Sequence, residues 1–263
     1  MGILNVTDDS FSDGDRHATL DTALAHARRL VAEGADILDI GGQSTRPGYV
    51  EIATAEEIAR TAPVLRALAS EFPSLPLSID TYQPAVAAAA LEAGAHILND
   101  IHGLQGPGGP ALARLAAAHG AIVVVMHNDA ALRDLPADTD PLPSVLSWLR
   151  RSVDIALAAG VPADRIILDP GIGFGKTQAQ NLALLARLDA LHALGFPLLL
   201  GVSRKSVIRH VLPELESPAD RLEATLALTA LAVRQGVQIH RVHDVQANRR
   251  AARMAAALRD AAA

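Results

Sequence analysis

The chain is 263 residues long, 50% hydrophobic and 20% charged, with a formal net charge of −6 and no cysteine. So apolar a composition buries a sizeable core rather than leaving the chain disordered. The acidic balance speaks against non-specific nucleic-acid binding, and the lack of thiols excludes disulfides, thiolate zinc sites and cysteine nucleophiles.

No apolar run approaches the roughly 20 residues of a membrane span. The opening MGILNVTDDSF lacks the basic and apolar regions of a signal peptide, so a cytoplasmic protein is expected. From there, short β-branched runs alternate with Ala- and Leu-rich stretches to the end of the chain. Strands are expected at 2–7, 36–41, 77–81, 96–100, 122–127, 166–169, 198–203 and 240–245. They are near-continuous apolar runs, the pattern of parallel strands covered on both faces. Helices are expected at 20–33, 56–71, 84–93, 111–119, 145–159, 180–193, 219–235 and 246–261. Gly34, Gly94, Gly120, Gly160, Gly195 and Gly236 close several of them just before the next strand, as C-capping glycines do.

Strand–helix units repeated without a long linker predict one closed (β/α)8 barrel, an α/β fold that occupies 1–263 as a single domain. The length agrees with the ~250 residues typical of such barrels. With aromatics at only 3%, the core must be Ala, Leu, Val and Ile, which suits a barrel interior. An open doubly wound sheet is the alternative, but no GxGxxG follows the first strand. The end of the last helix, 249–260, is expected to help cover the barrel's bottom.

Barrel enzymes work at the C-terminal ends of their strands. Here those ends carry Asn5 and Thr7, Asp39, Asp80 and Thr81, Asn99 and Asp100, Met126 and His127, Asp169, then Ser203, Arg204 and Lys205, and finally Arg241 and His243. A lone Asp at such a position is more often a helix N-cap than a catalyst. Polar groups converging from every strand instead define one pocket. Asp80, Asn99 and Asp169 suit a nitrogen-rich heterocycle, whose N–H and carbonyl groups they can accept from or donate to. Arg204, Lys205, Arg241 and His243 gather at strands seven and eight, where barrels often bind phosphate. The bland alternative for Arg241 and His243 is an ion pair with Asp39 or Asp244.

Two loops are long: 7–17 (TDDSFSDGDRH) and 41–50 (GGQSTRPGYV). They read either as solvated loops or as lids that exclude water. His26, His119 and His192 fall on predicted helices and are expected to be surface or satisfied groups. DPGIGFGKT misses the P-loop spacing and reads as a strand-to-helix turn needing close backbone approach.

The segments NVTDDSFSDG, GGQSTRPG, SIDT, ILND, VMH, LDPGIGFGK, GVSRKS and RVHDV, in that order, resemble the signature segments of dihydropteroate synthases over nearly the whole chain. The resemblance implies condensation of 6-hydroxymethyl-7,8-dihydropterin pyrophosphate with p-aminobenzoate, giving 7,8-dihydropteroate and pyrophosphate with the help of Mg²⁺. It implies that Asn5 holds Mg²⁺ and pyrophosphate, and that Arg241, His243 and Thr45 hold the phosphates. Asp80, Asn99, Asp169 and Lys205 would hold the pterin, with Met126 and Phe174 packing beside it. Phe11, Arg46, Pro47 and Ser206 would form the aminobenzoate pocket, where sulfonamides compete. Asp13, Asp80 and Lys205 would be the catalytic groups, Asp13 helping to stabilise the electrophile.

Aromatic amines are weak nucleophiles, so a dissociative path through a pterin methylene cation is expected. Carboxylates stabilise such a cation, and the two loops keep water from it. The family habit also implies a homodimer through the last helices. Gln43 stands where the family usually has Glu, Asp8 where Pro is common, and Asn128-Asp129 follow Met126-His127 in place of the usual continuation. A hairpin that usually precedes the first strand is not seen. Two alternatives remain in view: a non-catalytic pterin-binding paralogue, and a methyltetrahydrofolate-dependent corrinoid methyltransferase domain.

Overall fold

Eight short parallel strands close on themselves in a computed structural model that describes residues 1–6, 16–43, 51–136 and 139–261. They are β1 (Gly2–Asn5), β2 (Leu38–Gly41), β3 (Leu77–Asp80), β4 (Ile97–Asp100), β5 (Ile122–Met126), β6 (Ile166–Asp169), β7 (Leu199–Leu200) and β8 (Ile239–His240). β1 to β6 form one parallel sheet and β7 pairs with β8. Parallel bridges Leu168↔Leu198 and Gly2↔Val242 join the two sheets at both seams, so the barrel closes as the alternating pattern predicts. Closure leaves no strand edge to cover.

Around the strands lie α1 (Arg16–Ala32), α2 (Thr54–Glu71), α3 (Pro84–Glu92), α4 (Gly109–His119), α5 (Leu142–Ala158), α6 (Gln178–Leu185), α7 (Ser206–Val211), α8 (Leu222–Arg234) and α9 (Val245–Asp260). Local chemistry explains several ends. α3 opens on proline, whose fixed φ suits a first helical position. α6 begins with a reciprocal capping box between Thr177 and Gln180. All six predicted capping glycines have positive φ, which a residue with a β-carbon resists.

Four expected elements differ. Strand seven, expected at 198–203, is only Leu199–Leu200, with Leu198 bridging to Leu168. The helix expected at 180–193 stops at Leu185 and continues as a 3-10 stretch, Leu188–Leu194. The reason is Gln235: its amide donates to the Leu185 carbonyl and accepts from the Leu188 N–H, so the broken turn is satisfied from another helix. The helix expected at 219–235 begins as a 3-10 turn, Pro218–Arg221, and a short helix, α7, precedes it. Strand eight, expected at 240–245, is Ile239–His240, because Val245 already belongs to α9 and Asp244 is the boundary residue before it.

The helix layer packs on the outer face of the strands through Leu4, Leu38, Ile40, Leu77, Ile79, Leu98, Leu168 and their neighbours, all buried. Inside the barrel a second cluster, Met1, Ile97, Val124, Ile167 and Leu199, fills the lower half, with Ile37, Ile122 and Ile239 packed against it. These aliphatic side chains plug the bottom that the last helix was expected to help cover; α9 packs mainly along α8.

The DPGIGFGKT turn approaches neighbouring backbone closely, as its glycines suggest. Gly171 has φ +65°, and a β-carbon there would fall on the His127 carbonyl oxygen. Gly171→Ala should therefore cost about 3 kcal/mol in urea denaturation, combining overpacking with left-handed strain. Gly195, at φ +81° with nothing within 4 Å, should lose only about 1 kcal/mol as alanine. Equal losses at the two positions would contradict the close-approach argument.

Candidate active site

Strand register sets the polar rim. Asn5 lies opposite Gly41, Gly41 opposite Asp80, and Asp80 opposite Asn99. Further round, Met126 lies opposite Asp169. Gly201 and Arg241 follow Leu200 and His240, the last paired residues of β7 and β8. Alternate residues of a strand share a face. Asn99, Met126, Asp169, Gly201 and Arg241 each stand two residues beyond an aliphatic of the inner cluster (Ile97, Val124, Ile167, Leu199 and Ile239), so all five point inward above the plug.

Two glycines measure the convergence. A β-carbon on Gly41 would stand 3.6 Å from Asn5 Oδ1 and 3.7 Å from Asp80 Cβ. One on Gly201 would stand 3.8 Å from Lys205 Nζ, 3.9 Å from Arg241 Cδ and 3.9 Å from Asp169 Oδ2. Groups scattered over the length of the chain thus share one mouth.

Its floor is an ion-pair network. Arg241 donates from Nε to Asp39 Oδ2 at 2.5 Å and from Nη2 to Asp80 Oδ2 at 2.7 Å. Asp39 is fully buried and also accepts from Ser78 Oγ at 2.5 Å and Asn99 Nδ2 at 3.2 Å. The ion pair with Asp39 anticipated from the sequence is therefore present, and among the described residues Arg241 uses two of its five guanidinium N–H donors. Burial pushes the Asp80 carboxyl up to about 7, against the pull of Arg241. Asp80 Oδ1 is buried with no hydrogen-bond partner among the described residues.

Across the mouth, Asp169 Oδ1 accepts from the Gly171 N–H at 2.7 Å. Burial raises its carboxyl from the ordinary value, opposed by Lys205. Burial lowers the Lys205 ammonium to about 8, with Asp169 opposing. Lys205 Nζ donates to the Ile172 carbonyl at 2.6 Å and stands 4.7 Å above the Phe174 ring, a favourable cation–π distance. His243 Nδ1 lies 3.0 Å from Ser203 Oγ, and Ser206 opens α7, exposed beside Gln178.

Other strand-end polar groups have structural duties. Asp100 accepts from the His102 and Leu104 N–H groups at 2.9 and 2.7 Å, the turn-capping role common for Asp. Arg204, grouped by sequence with the phosphate-site cations, turns onto Asp244 at 2.5 Å. His192 bonds the Gln235 carbonyl at 2.9 Å and is a satisfied helix residue, as expected. Gln43 donates to Tyr82 Oη at 2.8 Å and accepts from the Ile52 N–H at 2.9 Å. An amide does both, which an ionised carboxylate there would not. Phe11, Asp13, Thr45, Arg46 and Pro47 lie outside the described residues, as do Thr7 and Asp8.

Sequence reasoning passed over Ser78, which supports Asp39 from the next strand, and Lys176. The second is 3% exposed, and its ammonium meets His127 Nδ1 at 2.7 Å and the Gly171 and Phe174 carbonyls at 2.9 and 3.0 Å. The only signal available was a lysine embedded in a glycine-rich turn.

Fold and rim together define a barrel enzyme with a cation-bearing polar mouth. The family model described as pterin binding enzyme matches residues 1–243. The chain is 46% identical to the dihydropteroate synthase of Bacillus subtilis over 254 residues, covering 97% of this chain and 86% of that one. A solved dihydropteroate synthase from Clostridium difficile, in the presence of pteroic acid, superposes with TM-score 0.90 at 46% identity, covering 98% and 95% of the two chains. That of Xanthomonas albilineans with 4-aminobenzoic acid superposes with TM-score 0.89 at 42% identity, covering 98% and 92%. The chain belongs to the pterin binding enzyme family, as a transferase of the dihydropteroate synthase type.

The raised Asp80 carboxyl has a consequence for stability. Between about pH 4 and pH 7 the folded chain keeps a proton that the unfolded chain releases. Stability therefore falls as pH rises through that window. Asp80→Asn should flatten the change in urea midpoint between pH 5 and pH 7 relative to the parent chain. An unchanged slope would show that Asp80 ionises normally.

Proposed function

We propose that this chain condenses 6-hydroxymethyl-7,8-dihydropterin pyrophosphate with p-aminobenzoate to give 7,8-dihydropteroate and pyrophosphate. The carrying observation is the meeting of Asp169, Lys205 and Arg241 around Gly201, within 4 Å of one point. It puts a hydrogen-bonding carboxylate for ring N–H groups beside cations suited to a phosphate. Relatives solved with pteroic acid, 4-aminobenzoic acid and 7,8-dihydropteroate support the same substrates.

Asp80, Asn99, Asp169 and Lys205 hold the pterin, and Met126 and Phe174 pack on it. The three guanidinium N–H groups of Arg241 not used on Asp39 and Asp80 receive phosphate oxygens, with His243 and Thr45. Phe11, Arg46, Pro47 and Ser206 receive aminobenzoate, and sulfonamides compete there; a Yersinia pestis relative at 42% identity was solved with a sulfonamide drug. The C–O bond to pyrophosphate breaks first and its electron pair leaves with the phosphate. The methylene cation that remains is stabilised by Asp80 and Asp13 through charge. The aminobenzoate nitrogen then forms the C–N bond and loses its proton to the released pyrophosphate or to water. Catalysis on this path needs positioning and charge rather than a strong base.

Among the described residues no three His, Asp or Glu side chains form a metal cage. The neutral Asn5 Oδ1 beside Asp80 at the Gly41 position nonetheless fits Mg²⁺, which binds through few protein oxygens and mostly through substrate phosphates and water. When bound, the ion neutralises the departing pyrophosphate. We also place the protein in the cytoplasm; among the described residues no helix is long and apolar enough to cross a membrane. Met254 and Leu258, four residues apart on α9, and Leu231 on α8 are each more than half exposed, which supports a homodimer through these helices.

Purified protein should release pyrophosphate from the pterin substrate only with aminobenzoate and Mg²⁺ present. Lys205→Ala should lower kcat/KM by about 100-fold, a magnitude typical of losing one charged active-site contact. Release no greater than that of Lys205→Ala would end the proposal. Met254→Glu with Leu258→Glu should turn a sedimenting dimer into a monomer; unchanged sedimentation would move the interface elsewhere.

A further inference from the structure

Lys176 is a buried cation that the reaction above does not use. Its three ammonium hydrogens have three acceptors at bonding distance: His127 Nδ1, the Gly171 carbonyl and the Phe174 carbonyl. The carbonyls belong to the turn that also supplies Ile172 O to Lys205 and lays the Phe174 ring beneath the Lys205 ammonium. His127 follows Met126, and its backbone N–H donates to the Asp169 carbonyl at 3.0 Å. Lys176 therefore ties the ends of β5 and β6 to the turn between them and the pterin wall.

We infer that Lys176, through the His127 imidazole and the 171–174 turn, is a positioning residue that sets the pterin-binding wall formed by Met126, Phe174 and Lys205. This rests on the pterin reading of the mouth. As acceptor at Nδ1, His127 must be the neutral tautomer protonated at Nε2, an assignment made from the hydrogen-bond network. That nitrogen is buried without a partner among the described residues. Burial lowers the imidazole to about 3, in keeping with a neutral ring beside a cation. Burial also draws the Lys176 ammonium down to about 7. An amine that has lost its proton has only two hydrogens for three acceptors, so one tie is released.

A structural lysine alone would lower stability without distinguishing substrates, whereas a positioning lysine acts on pterin. Calorimetry with 6-hydroxymethylpterin on Lys176→Met should show binding weakened about tenfold, the effect of losing one charge-assisted hydrogen bond. The aminobenzoate KM and kcat should stay within about threefold. His127→Asn keeps an acceptor near Nδ1 and should hold pterin affinity within about threefold, while His127→Leu should lose it like Lys176→Met. These two serve if Lys176→Met does not fold. Thr229→Val breaks a buried 2.7 Å bond to Asn248 that joins α8 to α9 and touches none of the groups named for the pterin wall, and it controls for stability; its pterin binding should be unchanged. Parent affinity in Lys176→Met or His127→Leu, or an equal loss in His127→Asn or Thr229→Val, overturns the inference. If the parent chain itself binds no pterin, it is the functional reading that fails instead.

Discussion

Arg241 holds two carboxylates, Asp39 and Asp80, that would otherwise repel each other in a buried place. Breaking a buried pair by removing one partner typically costs about 3–5 kcal/mol, because a charge is left uncompensated. The cation comes from the last strand and the carboxylates from the second and third. Their separations along the chain are 202 and 161 residues. The contact exists only because the barrel closes, bringing Val242 onto Gly2. Asn99 and Ser78 are oriented by the same Asp39, so one guanidinium organises four strands of the rim.

Around that network the titratable groups are moved toward neutrality from both sides. Burial raises Asp80 to about 7 and lifts Asp169, and it lowers Lys205 to about 8. Asp80 and Lys205 thus titrate close to neutral pH, so a bound ring or anion can shift their protons at small cost. Perturbed pairs of this kind cluster at functional mouths. The mouth is rigid where the barrel supplies it. Trp148 Nε1 donates to the Met126 carbonyl at 3.1 Å, and Asp169 caps its own turn through Gly171.

The glycine-rich turn after β6 joins stability to recognition. Its glycines allow backbone contact with 127–129, which side chains would prevent. Lys176 then satisfies carbonyls that such a tight path leaves inside the protein. The same path presents Ile172 O and Phe174 to Lys205. Packing and ligand recognition therefore draw on the same few atoms, and changes to either affect both.

Much of this was legible along the chain. Alternating strand and helix periods defined the barrel, since parallel strands covered on both faces must be apolar throughout. The capping glycines marked helix ends, since positive φ is a local demand. Asn5, Asp80, Asn99, Asp169, Lys205 and Arg241 stood out because polar groups ending apolar strands need a shared mouth, and segments resembling the signatures of a known family pointed to the chemistry they serve. Only the tertiary structure decided which of two neighbouring polar residues faces inward. Asn99 joins the rim while Asp100 caps a turn, and Lys205 enters the site while Arg204 pairs with Asp244. It alone broke the helix after Leu185, because the partner that satisfies the break lies 50 residues away. Local propensity is written in neighbouring residues. The sharing of a buried charge, or of a free carbonyl, depends on which distant groups the closed barrel brings within 3 Å.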